Sequence, residues 1–198
     1  FESGYETEKE KYSDFIEKLE ASFSDPSVVL NPLSELEKHQ DEYIYFRTGN
    51  SWTMRGAFYG AQVIFGELGY DKENLDDYRE YVFGNFKGNL LLEALGKYTT
   101  DEIKKGIENM EEEPFYIYIN GSNPNREELT FENKEGQLQT LKRQTIQFNG
   151  SGNYAVIGSS YKHSIVEGRG KGQRKGNLLL IADTRGKMMI SYLSEIFE

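Results

Sequence analysis

Between Lys162 and Gly176 the chain concentrates five cations, Lys162, Arg169, Lys171, Arg174 and Lys175, against one carboxylate, Glu167, and threads four glycines among them. Positive charge on a glycine-rich backbone can fold around an anion, because glycine lets successive N–H groups converge where a side chain would interfere. A phosphate, a carboxylate or an acidic polymer would suit this chemistry. Gly168-Arg169-Gly170-Lys171-Gly172 is not a nucleotide-phosphate loop, since it lacks the Lys-Ser/Thr ending and leads toward a strand rather than a helix. The same residues also suit a solvated hairpin loop whose charges keep neighbouring strand edges from pairing with other molecules. His163 opens the stretch beside Ser159, Ser160 and Ser164, which is the raw material of a serine–histidine reaction centre. A Gly-x-Ser-x-Gly elbow is missing, however, and neighbours on a strand point to opposite faces.

Arg47, Trp52, Arg55 and Tyr59 form the second grouping, the last three falling on adjacent turns of a predicted helix. Arginine beside aromatic rings can read a sugar or a carboxylate by stacking and paired hydrogen bonds. A structural role is open to the same residues: Trp52 anchoring the helix to a sheet, and the arginines pairing with nearby carboxylates. His39 lies in a polar connector, and His39 and His163 are the only histidines. With two His and no Cys, multi-histidine and thiolate metal sites, iron–sulfur clusters and a cysteine nucleophile are excluded. Asp71 with Asp76 or Asp77 departs from the order of a calcium loop and reads as helix capping. No metal and no cofactor is expected, and the many carboxylates single out no glycosidase pair, because that separation is spatial.

The elements that must position these residues change character at Glu111-Glu112-Glu113-Pro114. Before it the apolar spacing is helical. Tyr12, Phe15, Ile16, Leu19 and Phe23 define a helix over about 5–23; Leu33–Glu42 is a polar connector after the breaks at Pro26 and Pro32; Trp52–Tyr70 is a buried helix. Gly56, Gly60 and Gly66 lower the propensity of that helix but would let another backbone approach. Asp71 or Asn74 is placed to cap a helix running through Phe83, Asn89 opens another through Tyr98, and Thr99 with Glu102 has capping-box spacing before a last one. Tyr43–Phe46 is too short to assign. Beyond Pro114 aromatic and β-branched residues alternate, predicting strands at 115–119, 129–132, 138–148, 154–161, 178–183 and 187–193, with 193–197 folding back as a helical turn. Glycine-bearing gaps between them imply hairpins. The expected fold class is α+β: one domain over 1–198, with an N-terminal helical half, 1–113, packed on a mostly antiparallel sheet or small curled barrel of about six strands, 114–198.

Charge follows the same division. Residues 1–113 carry 12 Lys and Arg against 25 Asp and Glu, whereas residues 114–198 carry 11 against 8. The net charge of −10 disfavours nucleic acid as a partner while leaving room for a local basic patch. Fourteen tyrosines and twelve phenylalanines supply much of the burial in a chain with four methionines. No apolar run is long enough to span a bilayer. The start at Phe1-Glu2-Ser3-Gly4 reads as processed or truncated, compatible with an upstream signal, a lipid anchor or a cut domain boundary.

Absence of Cys, abundance of Lys, Glu, Asn and Tyr, and that start look like the mature domain of a Gram-positive envelope protein or lipoprotein, which implies an extracellular or envelope location; a cytoplasmic one is the alternative. No catalytic motif stands above background. The leading expectation is a non-catalytic binding or structural domain that contacts an anionic envelope polymer or a protein partner through the Gly/Lys/Arg hairpin. A small hydrolase with a cleft between helices and sheet is the alternative. Oligomeric state is not legible.

Overall fold

The computed structural model describes residues 2–25, 29–97, 100–120, 127–132, 138–142, 146–148, 154–156, 164–168, 178–182, 186–193 and 197. Helices form in the first and third stretches read above, 5–23 and 52–70, close to the predicted bounds. α1 (Glu2–Glu20) covers the first amphipathic stretch, but Tyr12 and Phe15 on its stripe, and Phe23 beyond it, remain exposed. Inside the polar connector a short helix α2 (Leu33–Glu37) buries Leu36. α3 (Met54–Glu67) is the central element, its Ala57, Phe58, Ala61 and Phe65 buried along one face.

Both ends of α3 are set by local chemistry. Its cap is Thr53, whose hydroxyl accepts from Gly56 N at 3.3 Å and donates to Tyr43 O at 2.7 Å. The other end stops short of Tyr70 because Gly69 takes φ +73°, which lets Tyr70 N donate to Phe65 O and Gly69 N to Gly66 O. Tyr45 and Trp52 face each other in an isolated antiparallel bridge, so Thr48–Ser51 is a turn, as its residues suggest. Trp52 lies along α3 over Gly56 and Gly60.

The expected helix through Phe83 is instead a strand. Asn74 does act as a cap, its side chain accepting from Asp76 N at 3.1 Å, but what it opens is a single 3-10 turn, Leu75–Asp77. β1 (Tyr78–Phe86) follows and pairs antiparallel with β2 (Glu113–Asn120) from Tyr78↔Asn120 to Phe86↔Glu113, with an irregularity between Val82 and Gly84. Pairing with a distant strand overrides the local cap signal. α4 (Asn89–Lys97) and α5 (Asp101–Glu108) lie between the two strands. α5 has Thr100 at its cap position with no side-chain cap bond; the expected cap, Thr99, lies outside the described residues. The change of pattern at 111–114 therefore marks the start of β2 but does not separate a helical layer from a sheet.

Later strands are β3 (Glu127–Glu132), β4 (Leu138–Lys142), β5 (Ile146–Phe148), β6 (Tyr154–Val156) and β7 (Ser164–Gly168). The class is α+β with antiparallel pairing, as expected. One six-stranded sheet or barrel is not what forms, because the strands divide into β1-β2, β4-β3-β7 and β5-β6, and no sheet among the described residues exceeds three strands. β7 occupies part of the stretch read above as a loop. Residues 178–182 carry no strand assignment, and the strand expected at 187–193 is a 3-10 turn, Gly186–Met189, running into helix α6 (Ile190–Leu193). Here burial at Met188, Tyr192 and Leu193 follows a helical rather than a period-two spacing. Phe197 N donates to Leu193 O at 3.1 Å, in line with the helical turn expected there.

The core sits where α3, β2 and α6 meet. Phe58, Tyr78 and Tyr192 form a triangle of edge-to-face rings with centroids 5.3 to 5.8 Å apart, and Phe115 stacks on Phe46 at 5.7 Å. Tyr192 is fully buried, and its hydroxyl donates to Met54 O at 2.9 Å, which ties α6 to the start of α3.

Candidate functional site

A polar cleft of about 710 Å3 opens between α2, α3 and the β1-β2 pair. Arg55, one turn into α3, stands at its centre. The guanidinium reaches Glu42 through Nη1 at 2.9 Å, the Tyr118 hydroxyl through Nε at 3.1 Å and Glu80 through Nη2 at 3.4 Å. Tyr118 donates onward to Glu80 at 2.7 Å, and Tyr59, one turn along α3, donates to Glu42 at 2.8 Å. A carboxylate only accepts, so His39 Nδ1 donates to Glu42 Oε1 at 2.6 Å, which leaves Nε2 facing Glu35 at 4.0 Å. The His39 ring lies flat on Tyr59, centroids 3.6 Å apart and planes within 8°.

The wall on the other side is built by Gln62, Glu73 and Tyr78. Gln62 is 3% exposed; its Oε1 accepts from Glu73 N at 2.8 Å, which fixes the amide orientation and leaves Nε2 without a partner among the described residues. Tyr78 donates to the Glu73 carboxylate in a short contact. No group of three or more His, Asp or Glu among the described residues could hold a metal ion.

Electrostatics favour a charged Glu42 and neutral phenols at Tyr59 and Tyr118. Burial pushes Glu42 up, but the hydrogen bonds from His39, Tyr59 and Arg55 outweigh it and keep the carboxyl below the usual range. The hydrogen bond from Lys38, against some burial and helped by Lys72, lowers Glu35. Burial first, then bonding to Glu42 or Glu80, raises the phenols of Tyr59 and Tyr118 above their ordinary value. Because the folded Glu42 binds its proton less tightly than the unfolded chain does, its contribution to stability is present above the ordinary value of 4.5 and disappears as pH falls through the lowered one. Glu42→Gln is thus expected to be less stable than the parent at pH 7 and to converge with it as pH falls below 4.5 and through the lowered value. Urea midpoints measured from pH 3 to 7 check this; a gap that stays constant with pH would refute it.

Sequence reasoning places two of its four helix-turn residues here. Arg55 and Tyr59 line the cleft, with Arg55 pairing with carboxylates. Trp52 packs against the core, and Arg47 contributes its backbone N–H to Glu113 at 2.7 Å while its guanidinium lies over Tyr43 at 5.6 Å from the ring centroid. The structure does not bring the four together. Lys162, His163, Arg169, Lys171, Arg174 and Lys175 lie outside the described residues. The sequence alone does not single out Glu42, Glu80, Gln62 or Tyr118, and it puts His39 in a polar connector. Their convergence from separate elements leaves no linear spacing to find.

These features define an α+β protein with a polar cleft where a central helix meets an antiparallel strand pair. Residues 32–198 match the family described as DHHW protein, and the chain belongs to that family. A DHHW family protein from Eubacterium siraeum, known from its crystal structure, has a similar fold, with a TM-score of 0.59 and 20% sequence identity over 85% of this chain and 53% of that one. The chain therefore spans about half the length of that relative. No curated protein matches it.

Proposed function

We propose that this chain is a non-catalytic binding or structural domain of a bacterial cell-envelope protein, with residues 1–198 acting as one unit. The observation that carries the non-catalytic reading is Arg55 standing between Glu42 and Glu80. A general acid needs a raised pKa, and Glu42, bonded to that guanidinium, has the opposite. The phenols of Tyr59 and Tyr118 are held protonated, and no Ser or Thr is among the described residues that line the cleft. The bacterial origin of the Eubacterium siraeum relative and the Cys-free, Lys- and Tyr-rich composition support an envelope location.

The contact proposed for an anionic envelope polymer, or for a protein partner, is the basic stretch at Lys162, His163, Arg169, Lys171, Arg174 and Lys175. Its support is the sequence: charge density on a glycine-rich segment. Replacing Arg169, Lys171, Arg174 and Lys175 together by alanine is expected to weaken retention on immobilised polyphosphate about tenfold at low salt and to flatten its salt dependence. Unchanged retention would remove this stretch from the mechanism.

A small hydrolase is the second reading, favoured by one feature: a cleft lined with convergent polar groups lies between helix and strands. Turnover of a chromogenic ester or glycoside that is abolished in Glu42→Gln and Glu80→Gln would establish it over the binding reading.

A further inference from the structure

The cleft and the basic stretch have opposite polarity. Lining the cleft are five carboxylates, Glu35, Glu42, Glu73, Asp76 and Glu80, against the cations Arg55 and Lys72. Glu42 is saturated by His39, Tyr59 and Arg55. The rim is not. Both bonds to Glu80 among the described residues fall on Oε2, its side chain is 46% exposed, and the Asp76 carboxylate has no partner among those residues. Such a rim repels anions and attracts a protonated amine, and the dispersal of its carboxylates excludes a metal chelate among the described residues.

One donor in the wall is unsatisfied. Gln62 Nε2 is buried with no partner among the described residues, a condition that costs free energy unless something completes it. Its natural complement is a carbonyl or hydroxyl oxygen brought in by a ligand. Beside it, the stacked His39-Tyr59 pair offers a flat apolar surface along which an aliphatic chain can lie.

The geometry points to a binding site, in the cleft between α2, α3 and β1-β2, for a lysine-bearing peptide segment: its ammonium among Asp76 and Glu80, its backbone carbonyl on Gln62 Nε2. Volume agrees, since about 710 Å3 is within the range of sites that enclose a small ligand. This site is separate from the anionic-polymer contact proposed for residues 162–175, and either can fail without the other.

The test is a titration of the whole chain with N-acetyl-lysine methylamide, with its uncharged norleucine counterpart and with hexylamine, followed by calorimetry or chemical shifts. The lysine probe is expected to bind about tenfold more tightly than norleucine, and the Asp76→Asn, Glu80→Gln double variant to erase that difference. Both substitutions are on exposed side chains, so the fold should survive them. Gln62→Met is expected to weaken both amide probes about fivefold and to leave hexylamine unchanged. Equal binding of the lysine and norleucine probes, or no binding by either in the millimolar range, overturns the proposal. Loss of polyphosphate retention in the alanine variants bears only on the basic stretch. Cleavage of the lysine probe would instead defeat the non-catalytic reading.

Discussion

Glu113→Gln is expected to destabilise the protein by about 3 kcal/mol, a large part of the stability of a domain this size. Glu113 opens β2 and is 5% exposed. One carboxylate oxygen accepts from the Tyr43 hydroxyl at 2.6 Å and from Arg47 N at 2.7 Å, and the other accepts from Thr48 N at 2.8 Å and from the Thr48 hydroxyl in a short contact. Either orientation of a glutamine amide turns an NH2 group toward a backbone N–H, and that N–H then has no acceptor. The consequences reach further than the strand. Thr48 Oγ1 accepts from Gly88 N at 2.8 Å, and its carbonyl accepts from Leu90 N and Leu91 N at the start of α4. A relay thus runs from the first turn of α4 through Thr48 to Glu113, holding the 43–48 segment against β2. Thr48→Val should cost about 1.5 kcal/mol alone, and the double variant should be less destabilised than the sum, because both break the same relay. Denaturant midpoints measure this, with an unchanged slope confirming that the native state is still compact. A Glu113→Gln variant within about 0.5 kcal/mol of the parent would contradict the argument.

What the sequence discloses depends on how local the deciding interaction is. α3 is legible because its apolar face repeats at helical spacing and its ends carry Thr53 and Gly69, all within one segment. β2 is legible from Phe115-Tyr116-Ile117-Tyr118-Ile119, a run with high strand propensity. β1 is not, since Asn74 and Asp76 signal a cap that serves a 3-10 turn as well as a helix; pairing across the 26 residues between Phe86 and Glu113 decides the outcome. α6 is hidden for a related reason: the composition of Lys187–Leu193 suits a strand as well as a helix, and only burial of Met188, Tyr192 and Leu193, with the Tyr192 hydroxyl bonded to Met54 O, selects the helix. The cleft shows the same limit more sharply. Arg55 and Tyr59 share a helix and can be paired on paper, whereas Glu42, Glu80 and Tyr118 join them only after α3 has docked on β1-β2 and the 42–53 segment has folded back.

That docking rests on Gly56, and Gly56→Ala is expected to cost about 3 kcal/mol, despite a helix propensity gain of about 1 kcal/mol from alanine. A Cβ at Gly56 would fall on the Ile44 carbonyl oxygen and come within 2.9 Å of Trp52 Cβ. The obstacle is backbone, which cannot rotate aside as the end of a flexible side chain would. Thr53 N donates to the same Ile44 carbonyl at 2.8 Å, so moving it breaks the hydrogen bond that closes the segment onto the cap of α3. Gly60→Ala should be milder, since its Cβ would meet side chains alone, the Trp52 ring at 3.0 Å and Met189 Sδ at 3.5 Å, and that ring can tilt. Gly66 supplies a control on the same helix: the nearest atom to its Cβ is Lys72 Cε at 3.6 Å, so alanine there should stabilise by about 0.5–1 kcal/mol. With a single tryptophan in the chain, fluorescence reports on Trp52 directly, and a red shift in Gly60→Ala without loss of cooperativity would show the indole displaced from α3. Glu42 stands two residues before Ile44, so Gly56→Ala should also draw Glu42 away from Arg55 and weaken the pH dependence expected of the Glu42 network. Equal effects at Gly56 and Gly66 would mean that backbone approach at residue 44 does not hold the cleft together.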